Sequence, residues 1–362
     1  MLIEAEYMTN VMIHPATHDT VRPAVDRAFE IFPIDLSGKK VLIKPNALRT
    51  SGADEAIVTH PSVLEAVVEK VETLNPSDII VGDNPGAASY GANEECFEKT
   101  GLMEAAKGYY QNIGNDPVTV DFNPAFMASA SVSRAIMEAD IIISLPRFKT
   151  HGLTVMSGAI KNSYGFLCGA QKALLHKVAG NPARFQEVVV DVFKIRVPDL
   201  FIMDAVVGME GNGPASPDLR DIGLILAADN AVAMDAVVAT MMGCDPSCLR
   251  FLQKAKEDGL GDYDLTTVNI IGTLEKVKNF KLPPLGGEGV SQNPAIQEML
   301  ASKISFRPQV DQSLCTGCGT CVDQCPVSAL EIVDVFPEVD ADTCITCFCC
   351  QELCPEKAIQ LG

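Results

Sequence analysis

The feature that most constrains this chain is a run of cysteines that occurs twice near its C-terminus. The stretch CTGCGTCVDQCP occupies residues 315–326, and CITCFCCQELCP occupies residues 344–355. Both copies fit the pattern C-x2-C-x2-C-x3-C-P, and each is followed by a short β-like piece. A duplicated unit of this size predicts two small halves related by a pseudo-twofold axis.

This spacing is the one with which bacterial ferredoxins bind two [4Fe–4S] clusters, the fourth cysteine of each run ligating the other cluster. Three cysteines separated by two residues wrap around one corner of a cluster, and the fourth crosses to the other half. We therefore expect two [4Fe–4S] clusters as cofactors. The ligands expected for cluster 1 are Cys315, Cys318, Cys321 and Cys354, and those for cluster 2 are Cys344, Cys347, Cys350 and Cys325.

Zinc is the alternative metal for such a cysteine-rich segment. An all-cysteine zinc site needs only four ligands, which usually come as two CxxC pairs. Two matching runs of four cysteines, each with a following proline, fit that pattern poorly and favour iron and sulfur. Cys349 is the cysteine left over, because its place in the repeat corresponds to Thr320 of the first copy.

Composition narrows the class of protein and its partners. With 362 residues, 47% of them hydrophobic, the chain has material for about two globular domains. Its formal charge of −19 argues against nucleic acid and anionic membranes as partners. No signal peptide is visible in MLIEAEYMTN at the start, and no apolar run is long enough for a membrane helix. We expect a cytoplasmic protein, in which clustered cysteines bind metal rather than form disulfides.

The first three quarters of the chain alternate between short apolar runs and helical stretches. Continuous apolar runs are typical of strands that are covered on both faces. Strands that alternate with helices predict an α/β domain with a mainly parallel sheet and flanking helices. The strand candidates are 40–45, 78–83, 117–122, 139–146, 199–205, 222–228 and 268–272, and the helix candidates are 60–74, 184–196, 230–243 and 245–259.

Three segments follow from this alternation. Residues 1–278 form the predicted α/β domain. Residues 279–304, rich in Pro and Gly at their start, read as a linker. Residues 305–362 form a predicted small α+β ferredoxin-like domain with a pseudo-twofold βαβ arrangement.

A second anomaly lies inside the α/β domain. Residues 141–186, which we call the basic window, contain no Asp or Glu, although an even distribution of the 47 acids would place about six there. The window begins near the C-terminal end of a predicted strand, where ligands of α/β sheets usually bind. Its cations and histidines are Arg147, Lys149, His151, Lys161, Lys172, His176, Lys177 and Arg184.

A cationic pocket in an acidic protein predicts a small anionic ligand, such as a carboxylate or a phosphate. The candidate catalytic residues are Lys149, His151, Lys161 and His176. The alternative is a surface stretch whose lysines pair with acids from elsewhere in the fold. Polar residues that follow other predicted strands can form a rim facing the window: Lys44, Asn46, Asp83, Asn84, Asp204, Glu210 and Asn212.

A further metal held by histidines of the window is a weaker alternative. It would use His151 and His176 together with Asp204 or Glu210. No compact ligand spacing supports this set. Whether the α/β domain binds a further metal stays open at this point.

The chain resembles the domain-of-unknown-function 362 (DUF362) family, in the form fused to a C-terminal ferredoxin module with two clusters. This resemblance implies that the basic window is the signature segment of the family, but it implies no settled activity. A looser similarity joins 158–176 to Lys- and His-rich stretches of lactate-racemase-like proteins, as an analogy only. The segments that carry the family resemblance are IKPN (43–46), THPSVLEAV (59–67), GDNPG (82–86), SLPRFKTHGLTVMSGAIKN (144–162), GMEGNGP (208–214), ADNAVAMDAV (228–237) and CITCFCCQELCPEKAI (344–359).

These observations lead to one main hypothesis and two alternatives. The main hypothesis is an iron–sulfur redox protein whose C-terminal module transfers single electrons between an external partner protein and an anion-binding site on the α/β domain, which would make it an oxidoreductase. One alternative is a ferredoxin-like carrier whose large domain only docks. The other is a non-redox isomerase or lyase that acts on an anionic substrate.

Overall fold

The central sheet of the α/β domain runs through the middle of the protein, in a computed structural model that describes residues 8–86, 92–283 and 307–361. Most of the predicted linker, 279–304, lies outside the described residues. The strands of the described part are β1 (Thr9–Pro15), β2 (Lys40–Pro45), β3 (Asp78–Val81), β4 (Pro117–Asp121), β5 (Ser129–Ser133), β6 (Ile141–Leu145), β7 (Arg147–His151), β8 (Val155–Met156), β9 (Leu200–Met209), β10 (Leu219–Ala228), β11 (Val268–Ile271), β12 (Pro308–Val310), β13 (Leu330–Val333), β14 (Phe336–Val339) and β15 (Ile359–Leu361).

Helices connect and cover these strands. Helix α2 begins at a proline, as the sequence predicts. The helix predicted at 245–259 begins only at Arg250, because Asp245 first caps a short 3-10 segment. The α-helices of the described part are α1 (Val21–Ile31), α2 (Pro61–Glu72), α3 (Ala92–Lys99), α4 (Leu102–Ala105), α5 (Arg134–Glu138), α6 (Gly158–Asn162), α7 (Gln171–Ala179), α8 (Pro182–Ile195), α9 (Ala231–Met242), α10 (Arg250–Glu257), α11 (Thr320–Asp323) and α12 (Cys349–Leu353).

The strand order of the sheet is β11-β1-β10-β9-β6-β2-β3, with β7 and β8 attached beside β9. Four of the six pairings along this path are parallel, and the two that involve β10 are antiparallel. The predicted mainly parallel sheet with flanking helices is therefore confirmed. The antiparallel strand β10 follows β9 through the loop of residues 210–218, which needs no crossover helix.

One predicted strand does not join the central sheet. The run at 117–122 becomes β4, which pairs with β5 in a separate two-stranded sheet. Residues of β4 alternate between exposed and half-buried. This alternation is typical of a strand with one covered face, whereas β2 is buried almost throughout.

The C-terminal module, residues 307–361, consists of two similar halves. Strand β12 pairs with β15, and β13 pairs with β14, both antiparallel. Each cysteine run leads into one short helix, α11 or α12. The predicted small α+β domain with a duplicated unit is thereby present. In the described part of the chain no helix is long and apolar enough to cross a membrane.

Candidate functional site

The first four predicted cluster ligands lie around one small cavity in the module. Cys315, Cys318 and Cys321 come from the first run and Cys354 comes from the second. The backbone amide of Ala358 donates to the sulfur of Cys354 over 3.3 Å. Sulfurs that carry negative charge in a cluster are stabilised by such amide donors. The residues present therefore fit an inorganic group that four thiolates share.

The second predicted ligand set has the same organisation. Burial raises the pKa of Cys344, and nearby Cys347 and Cys325 add to that effect, so the remote cysteine of the first run lies near the second loop. The amide of Ala329 donates to the sulfur of Cys325 over 3.2 Å, which matches the contact at the end of the other run. Among the described residues, no three His, Cys, Asp or Glu side chains converge closely enough for a single metal ion.

The module packs against the α/β domain through its second half. Phe348, only 3% exposed, belongs to the main hydrophobic core of the α/β domain. The side-chain amide of Gln351 donates to the backbone carbonyl of Asn212 over 2.8 Å, and Lys357 pairs with Glu55 at 2.8 Å. These contacts hold the second cysteine run, rather than the first, against the large domain.

Gly86 marks how closely the two domains approach. It ends the GDNPG segment, and a Cβ atom added there would lie 3.1 Å from a methyl carbon of Leu353 in α12. The same atom would lie 3.3 Å from the carbonyl oxygen of Leu48. The segment therefore contributes a docking surface for the module, in addition to polar side chains.

A cavity of about 240 Å³ lies between the two domains, room for about eight waters. Both domains contribute to its wall, so neither alone completes it. The residues from the α/β domain that matter most are Asn46, Asp83, Lys149, Lys161, Lys172 and His176, and those from the module are Cys325, Cys349 and Glu352.

Three of the four predicted catalytic residues line this cavity. Lys149, Lys161 and His176 reach its wall, whereas His151 lies behind it. Lys149 is buried and donates to the side-chain oxygen of Asn46 over 2.7 Å and to the carbonyl of Ile57 over 2.6 Å. Burial, together with the nearby cations, holds the pKa of Lys149 well below its usual range.

Lys161 is the cation most open to a ligand. Its ammonium makes no hydrogen bond and no ion pair within 4 Å with any residue that the structure describes. It lies 5.6 Å from the ring centre of Tyr164 and 6.0 Å from that of Phe185, distances at which cations are attracted to aromatic faces. Burial lowers the pKa of Lys161, although the charges of Glu352 and Cys349 oppose that effect.

Helix α6, which carries Lys161, is held by a buried carboxylate. Asp235 of α9 accepts hydrogen bonds from the amides of Ala159, at 2.6 Å, and Ile160, at 3.0 Å. Gly158 precedes them with φ +66°, and a Cβ there would lie 2.5 Å from the Asp235 carboxylate. Only glycine therefore fits at that position. Burial raises the pKa of Asp235 to about 7.

His151 connects the basic window to the module. Its Nδ1 atom accepts from the amides of Leu153, at 3.1 Å, and Thr154, at 3.4 Å. The neutral ring therefore carries its proton on Nε2, which lies 2.8 Å from a carboxylate oxygen of Glu352. Burial lowers the pKa of His151 to about 4. Burial alone would raise the pKa of Glu352, but His151 and Lys161 beside it hold that pKa below its usual range.

His176 faces the cavity from α7. Its ring stacks on Phe185 with centroids 4.1 Å apart and meets Tyr164 edge-on at 5.6 Å. Its Nδ1 atom is buried and has no hydrogen-bond partner among the described residues, and the backbone of Cys347 lies close to the ring. Burial lowers the pKa of His176 to about 4. A neutral imidazole with one unused nitrogen therefore borders the cavity.

Several cations of the basic window pair with acids from elsewhere, as the alternative reading of the window predicts. Arg147 forms a buried pair with Asp204 of β9, and His151 contacts Glu352. Lys149, Lys161 and Lys172 have no carboxylate within ion-pair distance in the described part of the chain. The two readings therefore apply to different residues of the window.

The predicted rim is present in part. Lys44 pairs with Asp83 at 2.7 Å, and Asn46 donates to Asn162 of α6 over 3.1 Å. Lys172 donates to the carbonyl oxygens of Asn84 and Pro85, the latter over 2.9 Å. Burial lowers the pKa of Lys172 to about 8.

The additional metal set is not brought together. Asp204 accepts from the backbone amide of His60 over 2.9 Å and pairs with Arg147. Glu210 pairs with Arg220 at 2.9 Å. Neither acid lines the cavity that His176 faces.

Sequence reasoning missed Glu352 and the place of Cys349. Glu352 corresponds in the repeat to Asp323, so an acid occurs in both copies and nothing distinguishes this one. Cys349 does depart from the repeat, because Thr320 stands in its place in the first copy. That departure is the one sequence signal that points to the part of the cavity wall formed by the module.

The comparisons with known proteins agree with this architecture. The 4Fe-4S binding domain matches residues 308–331, so the chain is an iron–sulfur protein. A protein named Thylakoid-associated protein sll1697, from Synechocystis sp. (strain ATCC 27184 / PCC 6803 / Kazusa), is 31% identical over 259 residues. The match covers 68% of this chain and 77% of that protein.

Two solved structures match this chain at lower similarity. The lactate racemase apoprotein from Thermoanaerobacterium thermosaccharolyticum gives a TM-score of 0.43 at 12% identity, covering 67% of this chain and 58% of its own. A protein from Thermotoga maritima gives a TM-score of 0.37 at 12% identity, covering 57% and 54% of the two chains. Similarity at this level says nothing about activity. The sequence match to the α/β domain spans residues 41–240, more than half of the chain, which therefore belongs to the family described as Domain of unknown function (DUF362).

Proposed function

We propose that this protein is an iron–sulfur oxidoreductase that binds a small anionic ligand in the cavity between its two domains. One observation carries the proposal: Lys161 and His176 form one wall of the cavity, and Cys325 of the predicted second ligand set belongs to another. A ligand held by the basic window would lie beside a group that exchanges single electrons.

Eight cysteines would hold the two clusters. Cys315, Cys318, Cys321 and Cys354 would ligate cluster 1, and Cys344, Cys347, Cys350 and Cys325 would ligate cluster 2. When bound, such clusters supply one-electron transfer. The four thiols around the first cavity and the matching amide donors at Cys354 and Cys325 support this assignment.

The basic window supplies binding and proton placement. Lys161 offers an ammonium that has no hydrogen-bond or ion-pair partner among the described residues, and such a group gains most from an anion in a low-dielectric cavity. The unused Nδ1 of His176 can accept or donate a proton at the ligand. Lys149 and Lys172 add positive charge at the wall.

His151 acts indirectly in this proposal. It lies behind the wall and contacts Glu352, a module residue that lines the cavity. We therefore assign His151 as a positioning residue, which holds the second cysteine run against the large domain.

The partner and the location are proposed on chemical grounds. The proposed cavity ligand is a small molecule at one end of the electron transfer. At the other end, the clusters would exchange electrons with an external redox protein. Cysteines that ligate a cluster must stay reduced, which agrees with a cytoplasmic location.

An anaerobic measurement of iron and of anion binding tests the proposal. Holoprotein should contain about eight irons per chain, and calorimetry with acetate or inorganic phosphate should detect one site. Lys161→Met should weaken that binding at least tenfold and keep the iron, whereas the exposed Lys177→Met should change neither. Near four irons, zinc, or equal binding by both variants would contradict it.

A further inference from the structure

The cavities that border the two predicted cluster sites differ in their charged residues. The cavity of the first set contains Glu356, whose charge acts on Cys318, and no Lys, Arg or His borders it among the described residues. Cys318 is also the exposed cysteine of the repeat. The first site therefore faces solvent beside a negative charge.

The second set faces the basic window instead. Cys325 borders the same cavity as Lys161 and Lys149, and the His176 ring lies close to the backbone of Cys347. The ammonium of Lys161 interacts with the neighbouring thiol of Cys349. Partly paired cations thus surround the second loop on the side of the large domain.

Nearby charges shift the reduction potential of a cluster. Each one-electron reduction adds one negative charge to a cluster, which a nearby cation stabilises and a nearby carboxylate opposes. The effect is stronger in a buried site, because water and salt screen it less. Hydrogen bonding, net charge and exposure are the known determinants of cluster potentials.

We propose that Lys161 raises the reduction potential of cluster 2 above that of cluster 1. Electrons from the external partner then enter at the exposed first site and come to rest at the second, beside the ligand cavity. This inference rests on the proposed function, since it requires both clusters.

Glu352 sets a limit on this effect. Its carboxylate lies beside Lys161 and contacts His151, so it offsets part of the positive charge at the second site. Removal of the Glu352 charge should therefore shift the potential of cluster 2 in the direction opposite to removal of the Lys161 charge. A merely structural disturbance would not give two shifts of opposite sign.

The test is an anaerobic potentiometric titration of the full-length holoprotein, with dithionite as reductant and electron paramagnetic resonance as readout. Wild type should show two couples. Lys161→Met should lower the reduction potential of the higher couple by about 59 mV, which is a tenfold change in the equilibrium constant of a one-electron reduction. Lys161→Arg and the exposed Lys177→Met should leave both couples in place, and Glu352→Gln should raise the higher one.

The result that overturns the inference is an unchanged higher couple in Lys161→Met with its iron retained. If Lys161→Met loses iron, Glu352→Gln decides: a raised couple supports the inference, and an unchanged or lowered couple overturns it. A protein with four irons or with zinc would instead refute the proposed function, so the two failures are distinguishable.

Discussion

Substitution of Asp235 by Ala should loosen helix α6 and thereby the position of Lys161. The Asp235 side chain is fully buried and accepts from two amides, those of Ala159 and Ile160. A buried amide that loses its partner costs roughly 1–3 kcal/mol. The costs of the two amides add, but the variant also removes a carboxyl whose burial is itself unfavourable. We therefore expect α6 to be destabilised by the lower part of the summed range, about 2–3 kcal/mol.

Hydrogen exchange measures this loss locally. A decrease of about 2–3 kcal/mol in the free energy of opening corresponds to roughly 30- to 150-fold faster exchange of the amides at 159 and 160. Asp264→Ala is the matched control, because its exposed carboxylate also caps a short helical segment, through the amide of Thr266 at 2.9 Å. It should leave α6 unchanged. Equal exchange at α6 in both variants would refute the reasoning.

The same carboxyl predicts a pH dependence. Burial raises the pKa of Asp235 to about 7, so the folded state binds this proton more tightly than the unfolded state does. The stability from this group is therefore fully present below about pH 4 and is lost as pH rises through 7. Asp235→Asn should remove that dependence. A wild-type stability at α6 that rises between pH 4 and 7 would contradict the assignment.

Three further predictions concern docking and binding. Gly86→Val should push on Leu353 and loosen the module, seen as faster proteolysis between the domains at unchanged iron content; unchanged proteolysis would contradict the close approach. His151→Ala should remove the contact to Glu352 and weaken anion binding several-fold in calorimetry, although His151 does not line the cavity; wild-type affinity would exclude a positioning role. Anion affinity should fall as pH rises through about 8, because Lys172 then loses its charge, and Lys172→Met should flatten this profile; a wild-type affinity that stays level through pH 8 would remove Lys172 from the site.

The fold was largely predictable because its strands are buried on both faces. Short continuous apolar runs such as those at 40–45 and 139–146 are typical of strands in the interior of a sheet. The antiparallel placement of β10 between β9 and β1 was not predictable at this level, because β10 carries no separate pattern that reveals its direction. The register of a strand partner depends on tertiary packing.

The candidate site also contains residues that the sequence predicts and one that it does not. Lys149, Lys161 and His176 could be found because one segment of the chain lacks every acid. Glu352 could not be found, because it reaches the window from a different domain and only through the docked position of α12. A linear sequence records the absence of acids in a segment, but it does not record which distant acid fills the space.

The central claim is that the anion binds beside cluster 2, and the most direct test is nuclear–electron coupling. Reduced holoprotein with bound ¹³C-acetate, or with phosphate through ³¹P, should show a hyperfine coupling to one cluster by electron–nuclear double resonance. At the same ligand concentration, Lys161→Met should weaken the coupling, because less anion is bound. Binding by calorimetry with no coupling to either cluster, in protein with its full iron content, would contradict the account.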